Sequence, residues 1–184
     1  VELYEFTWIE DFAAARNFIM DQTPHGENVY IYWQDADDVL LDGENLRFEL
    51  EEAYRHKIAA VFFTYLYQVE VDENNNIKEI IVEHKRERII RNNHSFKWIG
   101  ALHETLIEQQ TENVQKVLSR ACRILHLSDG DRIDSNIDRN IEILEEKARK
   151  EDHKDPRTLI YLGKAYLDKA KFGDQDKKKI NFDL

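Results

Sequence analysis

Two long strand-like runs joined by a short polar turn restrict the fold of this chain more than any other feature. Residues 59–71 (AAVFFTYLYQVEV) and 77–90 (IKEIIVEHKRERII) are rich in β-branched and aromatic residues, and they flank DENNN, a composition typical of turns. The pattern predicts a β-hairpin. A shorter run, NVYIYWQ at 28–34, predicts a strand that is buried on both faces.

Helical patterns precede, separate and follow these strands. Residues 11–22 and about 44–56 predict helices, whereas residues 2–6 alternate as a short strand would. Short strands are expected around KWIGAL and TLIEQ, and residues 113–127 fit either a helix or a strand. Two further amphipathic helices are expected over 135–151 and 155–170. The sequence therefore predicts an α/β domain over 1–130, followed over 131–184 by a helical hairpin and a polar tail.

Charge and cysteine content narrow the choice of partner and compartment. The chain has 26 Lys and Arg against 37 Asp and Glu, a formal net charge of −11, which disfavours nucleic acid and anionic membrane surfaces as partners. No segment approaches the roughly 20 apolar residues of a transmembrane helix. Cys122 is the single cysteine, so an internal disulfide is excluded, and no signal peptide is visible. We expect a cytoplasmic location.

Three carboxylates in four positions follow the aromatic run at 28–34. If the strand continues through residue 37, Asp35 and Asp37 face the same side, because alternate side chains of an extended chain share a face. Two carboxylates held so close favour a divalent cation between them, and Mg²⁺ or Mn²⁺ prefers oxygen ligands. The alternative interpretation is an acidic surface turn.

Several segments, taken in order, resemble one family. FTWIEDFAAARNF, YIYWQDADDVL, KWIGALHE and ILHLSD are similar to segments of the family 2 glycosyltransferases of GT-A fold. They look most like the bacterial and phage subgroup in which tetratricopeptide-like helices follow the catalytic domain. The resemblance extends over about residues 4–170 and implies a GT-A-like mixed sheet flanked by helices. The family's first βα units would precede Val1, so the catalytic domain would be N-terminally incomplete.

The resemblance also implies residue roles. The D-x-D motif, Asp35 and Asp37, would bind the metal and the sugar nucleotide, and His126 would be a further metal ligand. Glu104 would be the general base. The residues implied beside the donor nucleotide are Asp11, Arg16 and Asn17.

Two further residues are candidates for contacts with the donor. Trp98 precedes Gly100 and could form a platform for a sugar ring, and His103 could orient Glu104 or approach the phosphates. Each candidate has a structural alternative: Trp98 as a core residue, His103 and His126 as structural histidines, Glu104 as a solvated residue, and Arg16 paired with an intramolecular carboxylate.

The implied function is inverting transfer of a sugar from a nucleotide-diphosphate donor, expected to be a UDP-sugar, to an acceptor hydroxyl. The acceptor could be a glycan, a lipid-linked glycan or a protein. The cofactor would be Mn²⁺ or Mg²⁺. The alternative is a catalytically silent GT-A-like scaffold that binds a protein partner through the C-terminal helices, and a metal-dependent phosphohydrolase ranks third.

Overall fold

A computed structural model describes residues 2–74, 76–109, 114–127 and 133–172. Within them the chain forms an α/β structure with a mixed sheet and four α-helices. A single 3₁₀ turn, Gly43–Asn45, precedes the second helix. In chain order the elements are α1 (Phe12–Gln22), β1 (Tyr30–Tyr32), β2 (Asp38–Leu41), α2 (Leu46–Arg55), β3 (Ala60–Val71), β4 (Ile77–Arg91), β5 (Phe96–Ile99), β6 (Thr105–Glu108), β7 (Lys116–His126), α3 (Ile133–Lys150) and α4 (Pro156–Phe172).

The main sheet has the strand order β1-β4-β3-β7-β2. The neighbours are antiparallel except β3 and β7, which run parallel. The predicted hairpin is confirmed as β3 and β4, and β5 pairs with β6 in a separate two-stranded sheet. Strands β1 and β2 follow each other in the chain but lie at opposite edges of the main sheet. The connection between them, residues 33–37, therefore runs from one edge of the sheet to the other. It places Asp37 and Asp38 beside β7 rather than beside β4.

The chain divides into two compact units. The sheet unit comprises Asn17–Lys97 and Leu106–Ser128. Its core contains Phe63, Ile89 and Ile124, which are fully buried, and α2 contributes the equally buried Ala53. Burial of each such Ile or Phe side chain contributes about 1.5–3 kcal/mol of transfer free energy.

The helical unit comprises the described residues of Val1–Arg16, Trp98–Thr105 and Asp129–Leu184. Its core joins Ala101 and Leu102 to Ile141 and Leu144 of α3 and to Ala165 of α4. The C-terminal helices thus share a core with the segment that carries His103 and Glu104. The domain boundary near residue 130 stays a prediction.

Most of the expected elements are confirmed, and two expectations change. The four predicted helices and the two short strands are present, and the ambiguous stretch at 113–127 contains β7. Residues 2–6 form no strand. The strand expected to be buried on both faces is a three-residue, half-buried edge strand, β1. None of the helices in the described ranges has the length and apolar character needed to cross a bilayer.

Cys122 supplies a prediction about alkaline stability. Its side chain is buried in β7, and burial, followed by the charges of Glu49 and Asp42, raises the pKa of the thiol from 9.0 to about 11. The unfolded chain therefore loses this proton first, and the folded state loses stability as the pH rises from about 9 towards 11. Urea unfolding at pH 8 and pH 10 should give a smaller free energy of unfolding at pH 10.

The variant Cys122→Ala isolates the thiol from other alkaline groups. Tyr32, whose pKa burial raises to about 12, is present in both proteins and contributes equally to both slopes. We expect the drop between pH 8 and pH 10 to be smaller in Cys122→Ala than in the original protein. An equal drop in the two proteins would contradict the prediction.

Candidate functional site

The acidic segment after β1 forms a turn rather than a continued strand. The amide of Asp38 donates to the carbonyl of Asp35 at 3.1 Å, which closes a turn over residues 35–38. The expectation that Asp35 and Asp37 project from one extended strand is therefore wrong. The reason is topological: β1 pairs with β4, whereas β2 pairs with β7 at the other edge, so the chain cannot stay extended alongside β4.

Asp38, the first residue of β2, is anchored from two strands. Its Oδ2 lies 2.9 Å from Nη2 of Arg88 in β4, and both side chains are essentially inaccessible to solvent. The hydroxyl of Tyr65 in β3 donates to Asp38 Oδ1 at 3.0 Å. Burial, followed by the charge of Asp38, raises the pKa of Tyr65, so this hydroxyl stays a donor at neutral pH. A buried carboxylate needs such partners.

Aromatic rings enclose the guanidinium of Arg88. Its central carbon lies 4.1 Å from the ring centroid of Trp33 and 4.8 Å from that of Tyr65. The Nε and Nη1 atoms are buried without a hydrogen-bond acceptor among the described residues. The cation is therefore stabilised by Asp38 and by the two ring faces.

His126 is the last residue of β7 and lies directly opposite Asp38 in the strand register. Its Nδ1 is 3.4 Å from Asp38 Oδ1 and 3.9 Å from Asp37 Oδ2. The ring stacks on Tyr67 with centroids 5.2 Å apart and planes 3° apart. The amide of Leu127 donates to the carbonyl of Asp37 at 2.8 Å, which attaches the acidic turn to the end of β7.

Asp37, Asp38 and His126 form a group that could hold a divalent cation. Each offers one ligand atom, and these atoms lie within 4.8 Å of one another. Carboxylate oxygens suit Mg²⁺ or Mn²⁺, whereas an imidazole nitrogen favours Mn²⁺ over Mg²⁺, and opposite ligands of Mg²⁺ lie about 4.0–4.2 Å apart. Because Arg88 already balances Asp38, the remaining negative charge of the group resides on Asp37.

The group differs from the predicted ligand set at one position. Asp37 and His126 belong to both sets, whereas Asp38 stands in the group where Asp35 was expected. Asp35 is half-buried, and its carbonyl closes the turn. Its role as a ligand stays a prediction.

In the helical unit, Glu104 is paired with Arg16. The Nε of Arg16 donates to Glu104 Oε1 at 2.8 Å, and the side chains are 21% and 11% exposed, respectively. The guanidinium of Arg16 also lies 5.2 Å from the ring centroid of Trp98, which is buried. Arg16 thus has the intramolecular carboxylate partner that was its structural alternative, and Trp98 is a core residue. Their roles towards a donor nucleotide stay predictions.

The other predicted residues have defined structural positions. His103 has a positive φ of 53° and stacks on Tyr161 with ring centroids 4.3 Å apart. Asp11 caps α1, because its Oδ1 accepts a hydrogen bond from the amide of Ala14 at 2.8 Å. Asn17, in the sheet unit, lines a cleft of about 280 Å³.

The predicted site residues therefore form two clusters, one in each unit. The sheet unit brings Asp37 and His126 together with Asp38, and the helical unit brings Arg16, Trp98 and Glu104 together. Sequence reasoning missed Tyr65 and Tyr67. One signal could have identified the two tyrosines: alternate positions on a strand share a face, and Tyr65 and Tyr67 both follow the buried Phe63 at that spacing.

No protein-family model matches this chain, and no curated protein matches it.

Proposed function

We propose that the protein is a metal-dependent glycosyltransferase of GT-A-like fold. Its donor would be a nucleotide-diphosphate sugar, expected to be a UDP-sugar. The observation that carries the proposal is the group of Asp37, Asp38 and His126 at the junction of β2 and β7. The ordered resemblance of the surrounding segments to family 2 glycosyltransferases supports it. Mg²⁺ is usually held by one or two carboxylates together with substrate phosphates, and this group supplies two carboxylates.

Each residue of the group would have a different role in binding the metal. Asp37 is exposed and carries the charge that Arg88 does not balance, so it would be the main anionic ligand. His126 offers Nδ1 from a ring fixed by Tyr67. Asp38 would orient the other two, because Arg88 and Tyr65 hold it in place. The bound ion would neutralise charge on the departing diphosphate.

Glu104 would act as the base of this reaction. An acceptor oxygen forms a bond to the anomeric carbon from the face opposite the leaving group, the bond to the diphosphate breaks, and the acceptor proton passes to Glu104. Attack from that face inverts the configuration at the anomeric carbon. The hydrogen bond from Arg16 fixes the direction of the carboxylate, as general base catalysis requires.

A second candidate function is supported by the exposed face of α4. Four apolar side chains on this helix are between 40% and 69% exposed: Leu159, Ile160, Tyr166 and Leu167. Exposed apolar residues on one helix favour contact with a protein partner. This observation fits a catalytically silent scaffold that binds through its C-terminal helices.

Calorimetric titration with Mn²⁺, and then with UDP in the presence of Mn²⁺, separates the two functions. We expect the original protein to bind both, and Asp37→Asn to weaken Mn²⁺ binding by roughly tenfold or more, because a metal ligand is lost. Asp42→Asn is the matched control. Asp42 is an exposed carboxylate just after β2, and its positive φ of 57° is one that Asn accepts readily.

The outcomes distinguish the proposals clearly. Equal Mn²⁺ affinity in Asp37→Asn and in the original protein would contradict the metal site. Absence of heat with Mn²⁺ and UDP in the original protein would remove the glycosyltransferase proposal and leave the scaffold.

A further inference from the structure

Arg157 occupies a fixed position at the start of α4. The helix begins at Pro156, and Asp155 caps it by accepting hydrogen bonds from the amides of Arg157 at 3.2 Å and Thr158 at 3.1 Å. The hydroxyl of Thr158 donates to the same carboxylate at 2.6 Å. Because the first turn is capped, the backbone that carries the side chain of Arg157 is held in place.

The guanidinium of Arg157 contacts the two residues on either side of Glu104. Its Nη2 donates to the carbonyl of His103 at 2.7 Å and to the hydroxyl of Thr105 at 2.6 Å. The Nε of Arg157 is buried and has no hydrogen-bond partner in the part of the chain that the structure describes. Both acceptors are neutral, so the contact restrains the backbone around Glu104 without depending on the charge of that residue.

Tyr161, one helical turn further along α4, adds a second contact with the same segment. Its ring stacks on His103 with planes 24° apart, and the Arg157 guanidinium lies 5.4 Å from its centroid. α4 therefore contacts both the backbone and the side chain of His103. Two successive turns of α4 thus contact the same segment, so its position relative to the helix is fixed at more than one point.

The segment between β5 and β6 needs such restraint. Gly100 and His103 both have positive φ, 97° and 53°, and residues 100–104 belong to neither strand. A positive φ is uncommon in residues other than glycine, although histidine adopts it more readily than most, and the contacts with α4 help to maintain it. Glu104 directly follows His103, so the direction of its carboxylate towards Arg16 depends on this backbone.

We infer that Arg157 is a positioning residue for Glu104, and that α4 is thereby part of the catalytic machinery rather than only an appended hairpin. The catalytic half of this inference rests on the proposed function. The structural half does not, because it states only that Arg157 holds residues 103–105.

The test uses the full chain with Arg157→Met, which removes the donors and keeps much of the side-chain length. Arg139→Met is the control, since Arg139 is an exposed arginine on the other helix of the hairpin. We expect hydrogen exchange of the segment 100–108 to accelerate roughly tenfold in Arg157→Met, with α3 and α4 still protected, and to stay unchanged in Arg139→Met. The kcat of sugar transfer should fall roughly 10- to 100-fold at unchanged donor KM, because Glu104 is misplaced.

Thr105→Val keeps the inference testable if Arg157→Met unfolds the helices. This variant removes one acceptor and keeps a β-branched residue in β6, so we expect a smaller acceleration confined to the same segment. Unchanged exchange of this segment in both variants would overturn the inference. Accelerated exchange with no sugar transfer by the original protein would overturn the proposed function and support the positioning contact.

Discussion

Replacing Arg88 with Met is expected to lower the free energy of unfolding by about 3–5 kcal/mol, the cost of leaving a buried carboxylate without its cation. Arg88 and Asp38 lie 2.9 Å apart and are shielded from solvent. Methionine roughly preserves the contact with the Trp33 and Tyr65 rings, but it leaves Asp38 with the Tyr65 hydroxyl as its nearest donor. Urea unfolding monitored by circular dichroism measures the change.

The matched control is Arg120→Met. Arg120 is exposed on β7, so the same change there should alter the free energy of unfolding by less than about 0.5 kcal/mol. The double variant Arg88→Met with Asp38→Asn should recover part of the loss, because the uncompensated charge is gone. A loss below about 1 kcal/mol in Arg88→Met would show that solvent reaches Asp38 and that the pair is not a buried one.

Replacing Glu104 with Gln is expected to lower the kcat of sugar transfer by roughly 10²- to 10⁴-fold, the range that a general base supplies. Glutamine keeps the size of the side chain and an oxygen that can accept the hydrogen bond from Arg16, which is 2.8 Å long in the original protein. It cannot accept a proton from the acceptor hydroxyl. Steady-state transfer from a UDP-sugar, assayed over a panel of acceptors, measures the effect.

Glu142→Gln serves as the control for this variant. Glu142 is exposed on α3 in the same unit, so its replacement should leave both stability and turnover unchanged. Mn²⁺ binding should be retained in Glu104→Gln, because Glu104 is absent from the Asp37 group. Turnover of Glu104→Gln within about twofold of the original protein would remove Glu104 as the base.

The sequence predicted the elements that depend on local patterns. The β3–β4 hairpin surrounds a turn in which Asp72 accepts hydrogen bonds from the amides of Asn74 and Asn76, and such turn chemistry is readable in DENNN. The helices follow from 3.6-residue periodicity. The one ambiguous segment became β7 because it pairs with both β2 and β3, and this pairing is decided outside the segment itself.

The candidate site was only partly predictable, because its partners are far apart in the chain. The motif identified Asp37 and His126 but gave no sign that Asp38 would be buried against Arg88, a partner 50 positions away in another strand. The strand order decides this pairing: β1 and β2 lie at opposite edges, so the connection crosses the sheet and buries the first residue of β2. Periodicity does not encode strand order.

The register of β2 also determines when the acidic group can exist during protein synthesis. Among the described strands β2 has one neighbour, β7, and Asp38 lies opposite the last residue of that strand, His126. At about 5–20 residues per second, a ribosome adds His126 roughly 4–17 seconds after Leu41. Throughout that interval the aspartates belong to an unpaired segment of the nascent chain. Any cation captured there would thus be acquired late, as the sheet closes.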